Sequence, residues 1–191
     1  MAHKFNPANK NKLDDQWRRQ NLPPILTLEK LGLIPGDTMA DLGCGIGYFT
    51  IPAAEIVKAT NNVFALDTSE EMLAEVEKRA ILADVSNIIV VKTGEYNLML
   101  PDESVSFALM VNVLHEIEDK EQFLQEARRL LKFAGKIAVV DWEKKPTEVG
   151  PPLDHRISFD EVKDMLEITG YKLIKDMPLA GVFYGMVAVK K

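Results

Sequence analysis

At 191 residues the chain is long enough to bury one sizeable core. Apolar residues make up 47% and charged residues 27%, the balance of a globular domain. A formal net charge of −6 offers no phosphate-neutralising surface, which argues against nucleic acid as the main partner.

The single cysteine, Cys44, excludes an internal disulfide and a cysteine-rich metal site, and it fits a reducing cytoplasm. No metal is expected. The first eleven residues are polar and do not read as a signal peptide. No apolar run approaches the roughly 18 residues that a membrane helix needs.

Residues 1–10 read as irregular, and residues 11–20 as a helix with Leu13, Trp17 and Gln20 on one face. Pro23 and Pro24 break it, and Pro24 suits the first turn of a second helix showing Ile25, Leu28 and Leu31, closed by Gly32. These two helices, within residues 1–34, are expected to form a lid or flank on a domain spanning residues 35–191.

After the Pro35-Gly36-Asp37 turn, the pattern predicts strands at Thr38–Leu42, Val63–Asp67, Ile88–Lys92, Ser104–Val111 and Lys136–Trp142. Between them it predicts helices at Tyr48–Lys58, from Ser69 to about Ala83, and at Lys120–Phe133, the last ended by Gly135. That alternation implies a parallel sheet covered on both faces. A polar loop, a helix capped by Ser158 and ending near Thr169, and two strands at Tyr171–Met177 and Val182–Lys190 complete the chain. The connection between the last two is too short for anything but an antiparallel pair. The expected architecture is α/β, with seven mostly parallel strands, helices on both faces, a C-terminal antiparallel hairpin and two extra N-terminal helices.

Ligands of such a sheet bind outside the carboxyl ends of its strands. The first such place is Asp41-Leu42-Gly43-Cys44-Gly45-Ile46-Gly47. Glycine weakens regular structure, so three at alternate positions point to a backbone that bends sharply or approaches a ligand. The dinucleotide fingerprint fails because Tyr48 or Thr50 stands where its third glycine belongs, and no Gly-Lys-Ser/Thr follows to make a phosphate loop. Asp41 could offer an anion to an ammonium group. Asp67, ending the second strand, could accept both hydroxyls of a ribose, or could cap the next helix. In Gly94-Glu95-Tyr96 an acid and an aromatic could read an adenine. In Asn112-Val113-Leu114-His115-Glu116 the asparagine could face a ligand and His115 could act as a base or simply bond a neighbouring turn.

Taken together, Ala40 to Gly47, Asp67, Glu95 and the segment Asn112 to Glu116 closely resemble the motifs of class I S-adenosylmethionine-dependent methyltransferases. Leu130 to Lys136 resembles that family's Leu-Lys-Pro-Gly-Gly turn, with Phe133 and Ala134 as departures. Within the family the chain looks most like the ubiquinone/menaquinone-methyltransferase-like branch. The resemblance implies a Rossmann-like fold and S-adenosylmethionine as cofactor, held by Asp41, Gly43, Cys44, Gly45, Gly47, Asp67, Thr68, Met72, Gly94, Glu95, Tyr96 and Asn112. It also implies a small-molecule acceptor, with the protein as a monomer or homodimer. Candidate acceptor-side residues are Phe5, Tyr48, His115, Trp142, His155 and Arg156. A single cysteine argues against arsenic as the acceptor. The alternatives are a non-catalytic protein that binds the same cofactor and an NAD-dependent oxidoreductase.

Overall fold

The computed structural model describes residues 13–191. Phe5 and the rest of residues 1–12 lie outside them. The chain runs α1 (Gln16–Asn21), α2 (Pro24–Leu31), β1 (Met39–Leu42), α3 (Thr50–Val57), β2 (Val63–Asp67), α4 (Glu70–Leu82), β3 (Ile88–Lys92), β4 (Val105–Val111), α5 (Lys120–Leu130), β5 (Leu131–Trp142), α6 (Phe159–Ile168), β6 (Tyr171–Leu179) and β7 (Phe183–Lys190). The strands form one seven-stranded sheet in the order β3-β2-β1-β4-β5-β7-β6. All pairings up to β5 are parallel, and β7 pairs antiparallel with both β5 and β6. The terminal hairpin therefore inserts its second strand beside β5 and leaves β6 at the edge.

Side chains alternate between the two faces of a sheet, so each face collects its own core. On one face Leu28 and Leu31 of α2 and Ala53, Ala54 and Val57 of α3 pack on Val63, Phe107, Leu109 and Val140. Leu73 and Val76 of α4 join the same side through Ala65. On the other face Phe123, Leu124, Ala127 and Leu130 of α5 and Val162 and Leu166 of α6 cover Ala108, Met110, Ile137 and Val139. Among the described residues no helix is long and apolar enough to cross a membrane.

The caps set most helix ends. Pro24 stands in the first turn of α2, and Gly32 closes that helix at φ 85° while donating to the Leu28 and Glu29 carbonyls. Ser69 caps α4 by accepting from the Met72 amide. Ser158 and Glu161 make a reciprocal capping box at α6. The largest departures from expectation fall at two boundaries. Within the described residues the first helix begins at Gln16, where the Asp15 carboxylate accepts from the Arg18 amide; residues 11 and 12 of the expected helix lie outside them. Helix α5 ends at Leu130, not Phe133, and Gly135 does not terminate it. Leu131 is fully buried and extended and pairs with Val105, while Lys136 pairs with Phe107. Residues 132–135 bulge out between these pairs, with Ala134 at φ 57° and Phe133 exposed.

Candidate active site

The chain leaves β1 toward β2 on one side of the sheet, and β4 lies on its other side, so the switch point falls at the carboxyl ends of β1 and β4. A cavity of ≈ 960 Å³ opens there. Its lining includes Asp41, Gly43, Cys44, Gly45, Tyr48, Asp67, Thr68, Met72, Gly94, Glu95, Asn112, His115, Trp142 and His155.

The floor is the turn after β1. Gly43, Gly45 and Gly47 have φ of 73°, 53° and 79°, a region that L side chains rarely enter. The Gly43 and Cys44 amides both donate to the Leu66 carbonyl, which ties the turn to β2. Asp41 is buried, and its carboxylate accepts from the Thr50 hydroxyl at 2.6 Å. Burial pushes its pKa up to about 7; the Thr50 bond opposes the rise and Asp67 adds to it. The Asp67 carboxylate accepts from the Gly45 amide and the Ser69 amide, each at 2.9 Å. Burial raises its pKa, and those backbone donors offset part of the rise. Ser69 does the capping of α4, which leaves Asp67 bridging the two turns. Cys44 is buried, and burial drives its thiol pKa far up, so it is a small packing residue and not a thiolate nucleophile.

After β4 the chain turns through Asn112, a non-glycine residue at φ 58°. Its Oδ1 is buried without a hydrogen-bond partner. Such an atom is rare in a folded protein and is a candidate acceptor for a ligand donor. His115 follows in a short 3₁₀ turn, Leu114–Glu116. Its Nδ1 lies 2.7 Å from Oδ1 of Asp141, a β5 carboxylate with no solvent exposure. The backbone amides of Trp142 and His115 also donate to Asp141, at 2.8 and 3.3 Å. Burial works to lower the His115 pKa, but the bond to Asp141, the Asp141 charge and Glu116 outweigh it and leave the pKa raised.

Several expected residues have other duties. Tyr96 does not line the cavity. A Gly94–Asn97 bridge closes the turn after β3, and the Tyr96 hydroxyl accepts from the Asp119 amide at 2.9 Å. Arg156 does not line it either. Its guanidinium donates to the carbonyls of Glu143, Lys145, Val149 and Pro151 and to the Thr147 hydroxyl, which holds the loop after β5 together. Trp142 lines the cavity within an aromatic cluster: Trp17 stacks on it at 5.7 Å, Phe183 lies at 4.3 Å, and Arg156 sits 5.2 Å from its ring. The Tyr48 hydroxyl donates to the Leu22 carbonyl at 3.0 Å.

Asp141, which holds His115, and Arg18 are not among the residues that the sequence singles out. Asp141 is the one acid in the otherwise apolar run Ile137 to Trp142, and a buried acid demands a partner, which was an available signal. Arg18 gave none, standing in a polar stretch with several charges. Its side chain lines the cavity from α1.

The comparisons agree with this geometry. Residues 40–139 match the family model described as Methyltransferase domain. A demethylmenaquinone methyltransferase of Listeria monocytogenes is 28% identical over 130 residues, covering 68% of this chain and 52% of that protein. An arsenite methyltransferase of Halobacterium salinarum is 24% identical over 157 residues, covering 76% of this chain and 40% of that protein. The chain thus spans about half the length, or less, of these curated relatives. The crystal structure of a SAM-dependent methyltransferase from Aquifex aeolicus superposes with a TM-score of 0.94 at 30% identity, covering 98% of this chain and 100% of that one. With its glycine turn, its acids at the ends of β1 and β2 and its reversed terminal hairpin, the chain belongs to the class I S-adenosylmethionine-dependent methyltransferases.

Proposed function

We propose that this protein transfers a methyl group from S-adenosylmethionine to a small-molecule acceptor, by in-line displacement, within the cavity at the switch point. One observation carries the reading: a single cavity joins an acid-flanked glycine turn to the His115–Asp141 dyad. The residues suit the cofactor. Gly43 and Gly45 bring backbone to the cavity wall, while Gly47 does not line it; Asp41 offers a carboxylate to an ammonium, Asp67 to ribose hydroxyls and Glu95 to the adenine edge, with Thr68 and Met72 beside them. Asn112 adds an acceptor that lacks a partner in the protein.

When bound, S-adenosylmethionine supplies an electrophilic methyl group on a sulfonium. The protein's part is chiefly to align the acceptor with it, which is worth a large share of the rate. His115 does more where the acceptor arrives protonated. A carboxylate only accepts, so neutral His115 places its proton on Nδ1 toward Asp141 and keeps the Nε2 lone pair to receive the acceptor's proton. The buried, unpaired thiol of Cys44 supports a reducing cytoplasm as the setting.

Calorimetric titration with S-adenosylhomocysteine and with NAD tests the reading. Saturable binding of the first alone is expected, and the opposite pattern would replace this function with hydride transfer. Asp67→Ala is expected to weaken S-adenosylhomocysteine binding by about 10–100-fold, through loss of charge-assisted bonds. Unchanged affinity would remove Asp67 from the site.

A further inference from the structure

Arg18 projects from α1, a helix with no fully buried residue of its own. The helix is fastened by its ends and by one ring. Asp14 pairs with Arg19 and Arg79, Trp17 stacks on Trp142, and Leu13 reaches over the Gly45 turn, 3.3 Å from where a Cβ there would stand. Arg18 is thereby laid into the cavity, with its guanidinium 5.0 Å from the Tyr48 ring centroid. Its Nε is buried and has no hydrogen-bond acceptor. Burial lowers its pKa, against the attraction of Tyr48, Asp15, Asp41 and Asp14.

Asp41 feels the Arg18 charge, yet its carboxylate bonds Thr50 and makes no ion pair with the guanidinium. The Arg18 guanidinium on the covering helix and the Asp41 carboxyl on the floor therefore line the same cavity without forming an ion pair. A zwitterionic amino-acid group complements that pair, carboxylate to Arg18 and ammonium to Asp41.

We propose that Arg18 binds the α-carboxylate of the cofactor's methionine end and that this contact fastens α1 over the occupied site. The proposal rests on the cofactor assignment made above. It gives the buried Nε the acceptor it lacks, and it makes the covering helix responsive to the amino-acid part of the ligand rather than to its adenosine.

Two probes separate those parts. S-adenosylhomocysteine carries the carboxylate and ammonium; 5′-methylthioadenosine carries neither. Calorimetry on Arg18→Gln is expected to show S-adenosylhomocysteine weakened about 10–100-fold and 5′-methylthioadenosine changed by less than about 2-fold. Arg18→Lys, which keeps the charge but not the two-pronged geometry, should fall between wild type and Arg18→Gln with S-adenosylhomocysteine. Hydrogen exchange on the wild type gives a reading independent of any variant: S-adenosylhomocysteine should protect the amides of residues 16–21, and 5′-methylthioadenosine should not. Equal weakening of both ligands in Arg18→Gln, or equal protection of α1 by both, overturns the role of Arg18 and leaves the cofactor assignment standing. Failure of the wild type to bind S-adenosylhomocysteine overturns both.

Discussion

Replacing Asp141 with asparagine is expected to lower kcat by about 10²–10⁴-fold with an acceptor that must lose a proton, the range of a positioned general base. Asparagine fills the same space at a fully buried site, but it presents an amide where the His115 ring meets a carboxylate. The imidazole then loses the anion that holds its proton on Nδ1 and that stabilises it once protonated. The pH dependence follows from the raised pKa of His115. The neutral ring is the base, so the rate climbs as pH rises through that pKa. Removing the anion leaves burial opposed by Glu116 alone, so the pKa falls and the climb moves to lower pH. An NMR titration of the His115 ring reports the same shift without any acceptor. His115→Ala should lose a similar factor, and the double variant little more, because the two residues act as one unit. A fall in kcat with an unmoved His115 titration would make Asp141 a structural residue only.

The dyad also shows where sequence reading stops. Val63–Asp67 and Ile88–Lys92 coincide with β2 and β3, and Ser158 caps the helix it was expected to cap, because those signals are local. The strand-end acids Asp41 and Asp67 were legible for the same reason: in a parallel sheet the end of a strand is already the edge of the site. Asp141 meets His115 only because β4 and β5 are neighbours, a fact of register and not of composition. Leu131 continues the apolar periodicity of α5, and only its pairing with Val105 pulls it into β5. Tyr96 follows β3 as an adenine-side aromatic would, yet the bridge between Gly94 and Asn97 turns its hydroxyl to Asp119. Arg18 depends on a short helix folding back over the first turn.

Gly43→Ala is expected to destabilise the fold by about 2–5 kcal/mol and to weaken cofactor binding at the same time. Two costs add. At φ 73° an L residue pays about 1–2 kcal/mol. A Cβ at Gly43 would also stand 2.6 Å from Cγ2 of Val113, and overpacking of this kind costs about 1–3 kcal/mol. Against a total stability of roughly 5–15 kcal/mol the loss is large, and at about 2–4 °C per kcal/mol it lowers Tm by about 4–20 °C.

Gly36 is an internal control for the first cost, since it has φ 93° and nothing within 4 Å of a built Cβ. Gly36→Ala should lose about 1–2 kcal/mol in urea unfolding and bind S-adenosylhomocysteine as the wild type does. Val113→Ala is the control for the second. In a double-mutant cycle it should return about 1–3 kcal/mol to Gly43→Ala, because the overlap disappears while the strained φ stays. The coupling matters for function because Val113 adjoins Asn112. A side chain added at the β1 turn presses on the segment that presents the unpartnered Asn112 Oδ1, so the two lips of the cavity move together. A cycle with no coupling energy would refute the clash, and a folded Gly43→Ala that binds S-adenosylhomocysteine at wild-type affinity would move the cofactor away from this turn.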